Sequence, residues 1–411
     1  MKQIRWMGAM LLIAMLMCAC GEEQKEDIQE TDKPTVTATV TPASKDVPSA
    51  DEAFSQAEEL VKGMTLEEKI GQMFLVDLLQ LDSQPSLDGS VDRVTAKMRD
   101  QIWDYHIGGV FLTSVNVKNV EQGRQLVKDL QSGVATGGAL YVAVEEDGGG
   151  MYSISSQVDE LKQTGFVTPQ EMGRNMTAQQ IYESGKTIAD ELTSLGVNLN
   201  LAPVADIGSE KNPEYASRCL GSDADTVSEL LDKFVSGMRD GGLAVSLRHF
   251  PGIGNVEGDV TESILENQDN LMTLRDNNFS AYQSGIKAGA DCVMVSNVAV
   301  SKVTVKKVPA FMSEDIVTKL LREELDFEGV IMTSPMNDNV IRNNYTDAYA
   351  AKAAVKAGCD MIVLPSNFRE CYEALLEAVK DGEINEKVIN TSVRRILQNK
   401  IRRGILVFDK Q

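Results

Sequence analysis

Only two histidines, His106 and His249, occur in a chain of 411 residues. A histidine-rich metal centre is therefore excluded. Six cysteines over this length do not make a disulfide scaffold. Positive charge is in deficit: Lys and Arg total 40 against 61 Asp and Glu, a net charge of −21. Such a surface repels phosphate backbones, so nucleic acid is not an expected partner. A Gly-rich phosphate loop is missing too. Gly148-Gly149-Gly150 follows an apolar run but lacks the spacing of a dinucleotide fingerprint, and reads as turn chemistry. No cofactor and no metal are expected. Beyond the first twenty residues no uninterrupted apolar run is long enough to span a bilayer.

Hydrophobic residues make up 43% of the chain and charged residues 25%, enough to bury a large core and too apolar for a largely disordered chain. The first segment, residues 1–20, reads as an address. Lys2 and Arg5 precede an apolar run, Met7 to Met17, too short for a stable bilayer span. It ends in Met17-Cys18-Ala19-Cys20-Gly21, which resembles a bacterial lipobox. Cys20 follows the small Ala19 and is the expected lipidation site, whereas Cys18 follows the bulky Met17. Met17 also stands where such motifs usually carry Leu. An ordinary cleaved secretory peptide is the alternative, and either way the mature chain leaves the cytoplasm. Residues 21–51 are rich in charge, Thr, Pro and Ser without apolar period, and predict a disordered tether to the membrane. Among the later cysteines, Cys219, Cys292, Cys359 and Cys371, no disulfide is evident. Cys292 and Cys359 sit in apolar runs, as buried thiols do.

From residue 52 to 405 short apolar runs alternate with longer amphipathic stretches, leaving a tail at 406–411. The runs are Ile70–Val76, Gly109–Thr113, Leu140–Glu145, Val197–Asp206, Ala244–Phe250, Cys292–Asn297, Val330–Ser334 and Asp360–Pro365. Continuous apolar runs suit strands buried on both faces of a parallel sheet. Gln122–Leu130, Thr226–Met238 and Ser313–Leu325 have helical spacing, the last after Ser313 as N-cap. The pattern predicts an α/β fold, a single (β/α)8 TIM barrel. An open doubly wound sheet is the alternative, though a chain this long would then usually divide into two domains. Barrel chemistry sits at the carboxyl ends of the strands. Those ends carry Glu145, Asp206, Arg248, His249, Asn297 and Ser334. Singly, each serves as well to meet solvent or cap a turn; together on one rim they predict a polar pocket. With Arg218 and Arg248 it suits hydroxyl, carboxylate or amide groups.

These residues carry a resemblance. Met64-Thr65-Leu66-Glu67-Glu68-Lys69-Ile70-Gly71-Gln72-Met73, Tyr105-His106-Ile107-Gly108-Gly109-Val110 and Asn200-Leu201-Ala202-Pro203-Val204-Ala205-Asp206 occur in this order. They are followed by His249-Phe250-Pro251-Gly252 and Ser392-Val393-Arg394-Arg395-Ile396-Leu397. Together they resemble the N-terminal barrel of glycoside hydrolase family 3, in its β-N-acetylhexosaminidase branch that trims peptidoglycan fragments. The sandwich domain that often follows such a barrel is not expected, since the chain ends at Gln411.

The resemblance implies a retaining mechanism: an aspartate at the end of strand seven attacks the anomeric carbon, and a second group moves the proton. Strand seven here ends Met332-Thr333-Ser334-Pro335-Met336, so Ser334 stands in the nucleophile's place. The loop histidine that acts as acid/base is replaced by Thr261, while its partner carboxylate remains as Asp259. Threonine does not titrate near neutral pH. Ile253 replaces the second histidine of the longer His-Phe-Pro-Gly motif. In the sugar cradle Glu145 stands for an Asp, Gly150 for an arginine, Arg248 for a lysine and Asn297 for a histidine. Arg218 is kept. Substrate contacts are thus expected from Glu145, Arg218, Arg248, His249 and Asn297.

Three functions remain open. The leading one is a surface lipoprotein that binds a glycan, such as N-acetylglucosamine-containing peptidoglycan, or a partner, without hydrolysing it. The second is an active glycosidase with relocated carboxylates, drawn from Asp338, Glu257, Asp259 and Glu262, which otherwise read as solvated loop charges. The third is a scaffold with no ligand in the pocket.

Overall fold

The computed structural model describes residues 36–38, 47–82, 91–134, 138–148, 154–161 and 167–408. The leader with Cys20, most of the tether, Gly149 and Gly150 lie outside the described residues.

Each apolar run holds one strand. The strands are β1 (Phe74–Asp77), β2 (Gly109–Phe111), β3 (Tyr141–Val144), β4 (Leu199–Asn200), β5 (Ala244–Phe250), β6 (Cys292–Val295), β7 (Val330–Thr333) and β8 (Ile362–Val363). They form one 8-stranded sheet in the order β7-β6-β5-β4-β3-β2-β1-β8. Every pairing is parallel. A Met332–Met361 bridge and a bond from the Thr333 amide to the Met361 carbonyl bring β7 back to β8. This is the expected TIM barrel.

Strand bounds shift where side-chain chemistry intervenes. The Ile70–Val76 run yields its first part to a helix, Leu66–Gln72, because Thr65 and Glu68 form a capping box. β4 is shorter than predicted. Ladder bonds run from Asn198 to Val142 and from Leu201 to Val144, and then Pro203 has no N–H to donate. The predicted helices appear as α1 (Val120–Gln131), α2 (Ala224–Asp240) and a π-wound helix at Asp315–Glu324. At the last, it is the Ser313 carbonyl that accepts from the amides of Ile316 and Val317.

The tether and tail need correction. Val36–Ala38 pairs antiparallel with Leu406–Phe408, so residues 21–51 are not all unstructured and 406–408 is not a loose tail. The stretch around Val36 is rich in β-branched residues, which suits a strand in spite of its polar surroundings. A helix capped by Ser49 begins at Ala50, two residues before the expected barrel start. The four cysteines from Cys219 onward are buried free thiols.

The closing helix α3 (Glu386–Arg402) is pinned to the amino-terminal floor of the barrel by buried charge. Asp360, fully buried before β8, accepts from Arg322 at 2.7 Å, Ser392 at 2.8 Å, Arg395 at 3.2 Å and the Ile331 amide at 2.9 Å. Asp291, before β6, accepts from Arg403 at 2.6 Å and Asn399 at 2.7 Å. Lys400 is fully buried, donating to Gln72 Oε1 at 2.9 Å and to the Gly108 carbonyl at 2.8 Å. Burial pushes its amine down to about 7. Gly71 and Gly108 permit the close approach of backbone here: a Cβ at either would collide with the carbonyl oxygen of Tyr105 or Gln72. The matched motifs around Gly71, Gly108 and Ser392–Arg395 therefore build the floor. Chemistry is left to the opposite rim.

Candidate functional site

At the carboxyl rim lies a cavity of about 550 Å³. Its lining includes Glu145 after β3, Tyr215 and Arg218 after β4, Asp259 and Thr261 after β5, Ser296 and Asn297 after β6, and Ser334 and Asp338 after β7. His249, in β5, also lines it. Of the strand-end residues, Glu145, His249, Asn297 and Ser334 meet on this cavity, whereas Asp206 and Arg248 do not line it. Another cavity of about 560 Å³, beside Gln80, Gln101 and Arg369, holds none of the predicted residues.

One wall is a charge lattice. Arg218 Nη2 lies 2.7 Å from Glu145 and 2.8 Å from Asp147. Arg248 reaches the same pair, at 2.6 Å and 2.5 Å. Burial by itself would raise both carboxyls; the guanidinium of Arg248, then that of Arg218, outweighs it and holds them below the usual carboxylate range. The same carboxylates raise Arg218 against its own burial. Arg248 is only 1% exposed and does not line the cavity. In place of the expected contact with substrate it supports the wall: the planar guanidinium offers paired N–H groups to two acids, where a lysine ammonium would be a point charge. Asp147 completes the lattice. Its sequence signal was only its place two residues beyond Glu145.

A second hub is Asp206, fully buried. It accepts from the Tyr215 hydroxyl, from Tyr282 at 2.8 Å and from the Ile253 amide at 3.2 Å. Tyr215 Oη also lies 2.8 Å from His249 Nδ1. With the Tyr215 proton committed to Asp206, a neutral His249 carries its hydrogen on Nδ1 and leaves Nε2 as an acceptor. Burial lowers the basicity of His249, which favours that neutral form. Tyr215 was not singled out from sequence; its one cue was lying three residues before Arg218.

The positions expected for catalysis carry hydroxyls. Ser334 ends β7, its amide bonded to the Val295 carbonyl at 2.9 Å. Thr261 Oγ1 donates to Asp259 Oδ1 at 2.6 Å and its amide to the same oxygen at 2.8 Å. The loop closes on itself and also docks on the segment after β7, where the Val340 amide meets the Thr261 carbonyl at 2.7 Å. Of the fallback carboxylates, Glu257 is exposed and off the cavity, and Glu262 accepts from Asn339 on the same side. Asp338 does line the cavity. Asn297 Nδ2 donates to Asp338 Oδ2 at 2.8 Å. Burial first, then the negative charge of Glu145 and Asp259, raises the Asp338 carboxyl to about 7. Ser296, missed from sequence although adjacent to Asn297, joins this side of the cavity.

The arrangement offers fixed carboxylates, a neutral imidazole and several hydroxyl and amide groups, the chemistry of a polyhydroxylated ligand site. Residues 65–399 match the glycosyl hydrolase family 3 N terminal domain. A β-N-acetylglucosaminidase/β-glucosidase of Cellulomonas fimi is 26% identical over 365 residues, covering 86% of this chain and 61% of that protein. The chain thus spans about three fifths of that relative. A family 3 β-N-acetylglucosaminidase structure from a Paenibacillus species superposes with a TM-score of 0.74 at 29% identity, over 83% of this chain and 63% of that one. A β-N-acetylhexosaminidase structure from Beutenbergia cavernae gives a TM-score of 0.69 at 27% identity, over 81% of this chain and 98% of that one.

Proposed function

The chain belongs to glycosyl hydrolase family 3, and from that membership we propose that its rim cavity binds an N-acetylglucosamine-containing glycan without hydrolysing it. One observation supports the reading: the cavity is lined by Ser334 after β7 and Thr261 on the β5 loop, the residues that the family resemblance sets against the nucleophile and the acid/base of retaining hydrolysis. A serine hydroxyl is neutral and cannot balance an oxocarbenium ion as a carboxylate does. A threonine bonded to Asp259 cannot shuttle a proton near neutrality. The Glu145–Arg218 pair remains to hold sugar hydroxyls. The N-acetylglucosaminidases that the chain resembles support N-acetylglucosamine as the sugar.

Two assays test this. An aryl β-N-acetylglucosaminide should give no turnover above the buffer rate, and calorimetry with chitooligosaccharides should show saturable binding that Arg218→Ala weakens at least about tenfold. Robust hydrolysis by the unaltered chain refutes the reading. The raised Asp338 carboxyl favours one second reading, hydrolysis with Asp338 as proton donor. Its signature is turnover that Asp338→Asn abolishes.

The same proposal places the protein outside the cytoplasm, acylated at Cys20, where peptidoglycan fragments are at hand. A single acyl chain anchors only marginally, so stable attachment implies the multiple chains of a bacterial lipoprotein. Cys20→Ala should leave the precursor unprocessed or release the protein from the membrane fraction. A processed Cys20→Ala protein that stays on the membrane contradicts the anchor.

A further inference from the structure

The cavity of about 560 Å³ beside Arg369 lies near the join of the first and last strands, β1 and β8. Three helices supply its lining: Leu78–Leu81 after β1, Ala96–Asp104 before β2 and Phe368–Lys380 after β8. It shares no lining residue with the rim cavity. In a chain of net charge −21 its lining is an exception: it holds Lys97 and Arg369, and no Asp or Glu among the described residues.

The guanidinium of Arg369 is fixed but not neutralised. Nε donates to Gln101 Oε1 at 2.9 Å, Nη2 donates to the same oxygen, and Nη1 donates to the Gln80 carbonyl at 3.1 Å. The Phe368 ring, 4.5 Å from the guanidinium carbon, steadies its plane. A guanidinium carries five N–H groups, so one is left on each terminal nitrogen. Both acceptors are neutral. Arg218, Arg248, Arg322, Arg395 and Arg403 each meet a carboxylate at 3.2 Å or less. Arg369 meets none among the described residues. Lys97 pairs with Asp82 at 3.6 Å, and Asp82 does not line the cavity. Asp347 accepts from the Ser366 amide at 3.3 Å and likewise stays off the lining. Arg369 and Lys97 against Asp82 leave one positive charge without a partner.

We propose that this cavity is an anion site for a carboxylate, held by the remaining N–H groups of Arg369 with Lys97 as the second cation. The match lies in charge and in shape. One unpartnered positive charge balances a carboxylate and falls short of a phosphate dianion. A guanidinium offers N–H groups in one plane to two oxygens, the geometry of a carboxylate. The first turn of Phe368–Lys380 contributes the positive end of a 13-residue helix. Gln80, Gln101 and Arg369 come from three separate connections around the join of β1 and β8. A ligand that binds only when they are assembled stabilises the folded barrel. The site is separate from glycan binding and stands or falls without it.

The test is calorimetric titration of the full chain in detergent, at pH 8 and constant ionic strength, with acetate, N-acetylglycine and inorganic phosphate. Acetate and N-acetylglycine should each bind saturably at one site and raise the unfolding temperature in a concentration-dependent way. Phosphate, for the most part a dianion at this pH, should bind more weakly than either. Arg369→Gln should weaken both carboxylates at least about tenfold, as the loss of a hydrogen-bonded charge does. Lys97→Glu keeps the test open should Arg369→Gln unfold, since the Lys97 side chain is 58% exposed. It turns the local balance from one positive charge to one negative and should also cost at least about tenfold. Absence of saturable binding, carboxylate binding that survives Lys97→Glu or a folded Arg369→Gln, or phosphate as the tightest of the three overturns the carboxylate site.

Discussion

Ser334→Asp combined with Thr261→His is expected to give the chain the turnover of a slow hydrolase. Removing one member of a concerted catalytic set costs about 10⁴–10⁶-fold in rate, so restoring both should lift hydrolysis of an aryl β-N-acetylglucosaminide by at least about 10³-fold over the starting chain. Each single variant should stay near background, because both steps of a retaining mechanism use both groups. The geometry favours the exchange. Ser334 lines the cavity at the end of a strand whose backbone is held on both sides, by β6 and by the Met332–Met361 bridge. Thr261 already meets Asp259 at 2.6 Å, so an imidazole there can give one ring hydrogen to Asp259 and keep the other nitrogen for the leaving group. The new carboxyl joins Glu145 and Asp338 around one cavity, and like charges resist further ionisation. Adding Asp338→Asn should therefore raise the rate of the double variant near neutral pH. A double variant that folds, binds chitooligosaccharide and still shows no release of the aryl alcohol would mean that Ser334 does not stand where a nucleophile reaches the anomeric carbon.

The largest stability effect is expected at Arg248. Arg248→Met removes the guanidinium that bridges Glu145 and Asp147, whose side chains are 23% and 5% exposed. Breaking a buried ion pair from one side leaves uncompensated charge and costs about 3–5 kcal/mol. Among the described residues Arg218 then remains as the only cation bonded to both acids. The pH dependence follows from the direction of the shifts. Glu145 and Asp147 are held below their ordinary values, so their contribution is present above about pH 4 and is lost as pH falls through the lowered values. The gap between the two proteins in urea unfolding should hold from pH 7 to about pH 4 and should narrow only as pH falls below that. Arg248→Lys should recover only part of it, since an ammonium is a point charge and not a fork. A loss below about 1 kcal/mol at pH 7 would show that the lattice is not what holds this rim together.

How far such a site can be read without coordinates depends on the residue. Ser334 and Thr261 were legible because each sits at a fixed offset from a strand end or from His249-Phe250-Pro251-Gly252, and local chain geometry carries that offset into space. Asp338 and Glu257 looked alike in sequence, as acidic residues on loops of an acidic protein. The fold separates them: Asp338 is drawn into the cavity against Asn297, and Glu257 is left in solvent. Arg248 looked like a ligand contact because it neighbours His249. In the fold its guanidinium is buried against Glu145 and Asp147 and does not reach the cavity.

By itself the sequence determined the barrel, its strand count, the family and several residues of the rim cavity. Those properties rest on runs of apolar residues and on short motifs, each set by neighbours along the chain. Only the tertiary structure decided which rim groups pair with one another and which line the cavity. Glu145, Arg218, Arg248, Asn297 and Asp338 come from separate strand ends, and their pairings appear only once the sheet closes. The raised carboxyl of Asp338 and the buried state of Arg248 come from burial and charges far apart in sequence, quantities that no local pattern encodes.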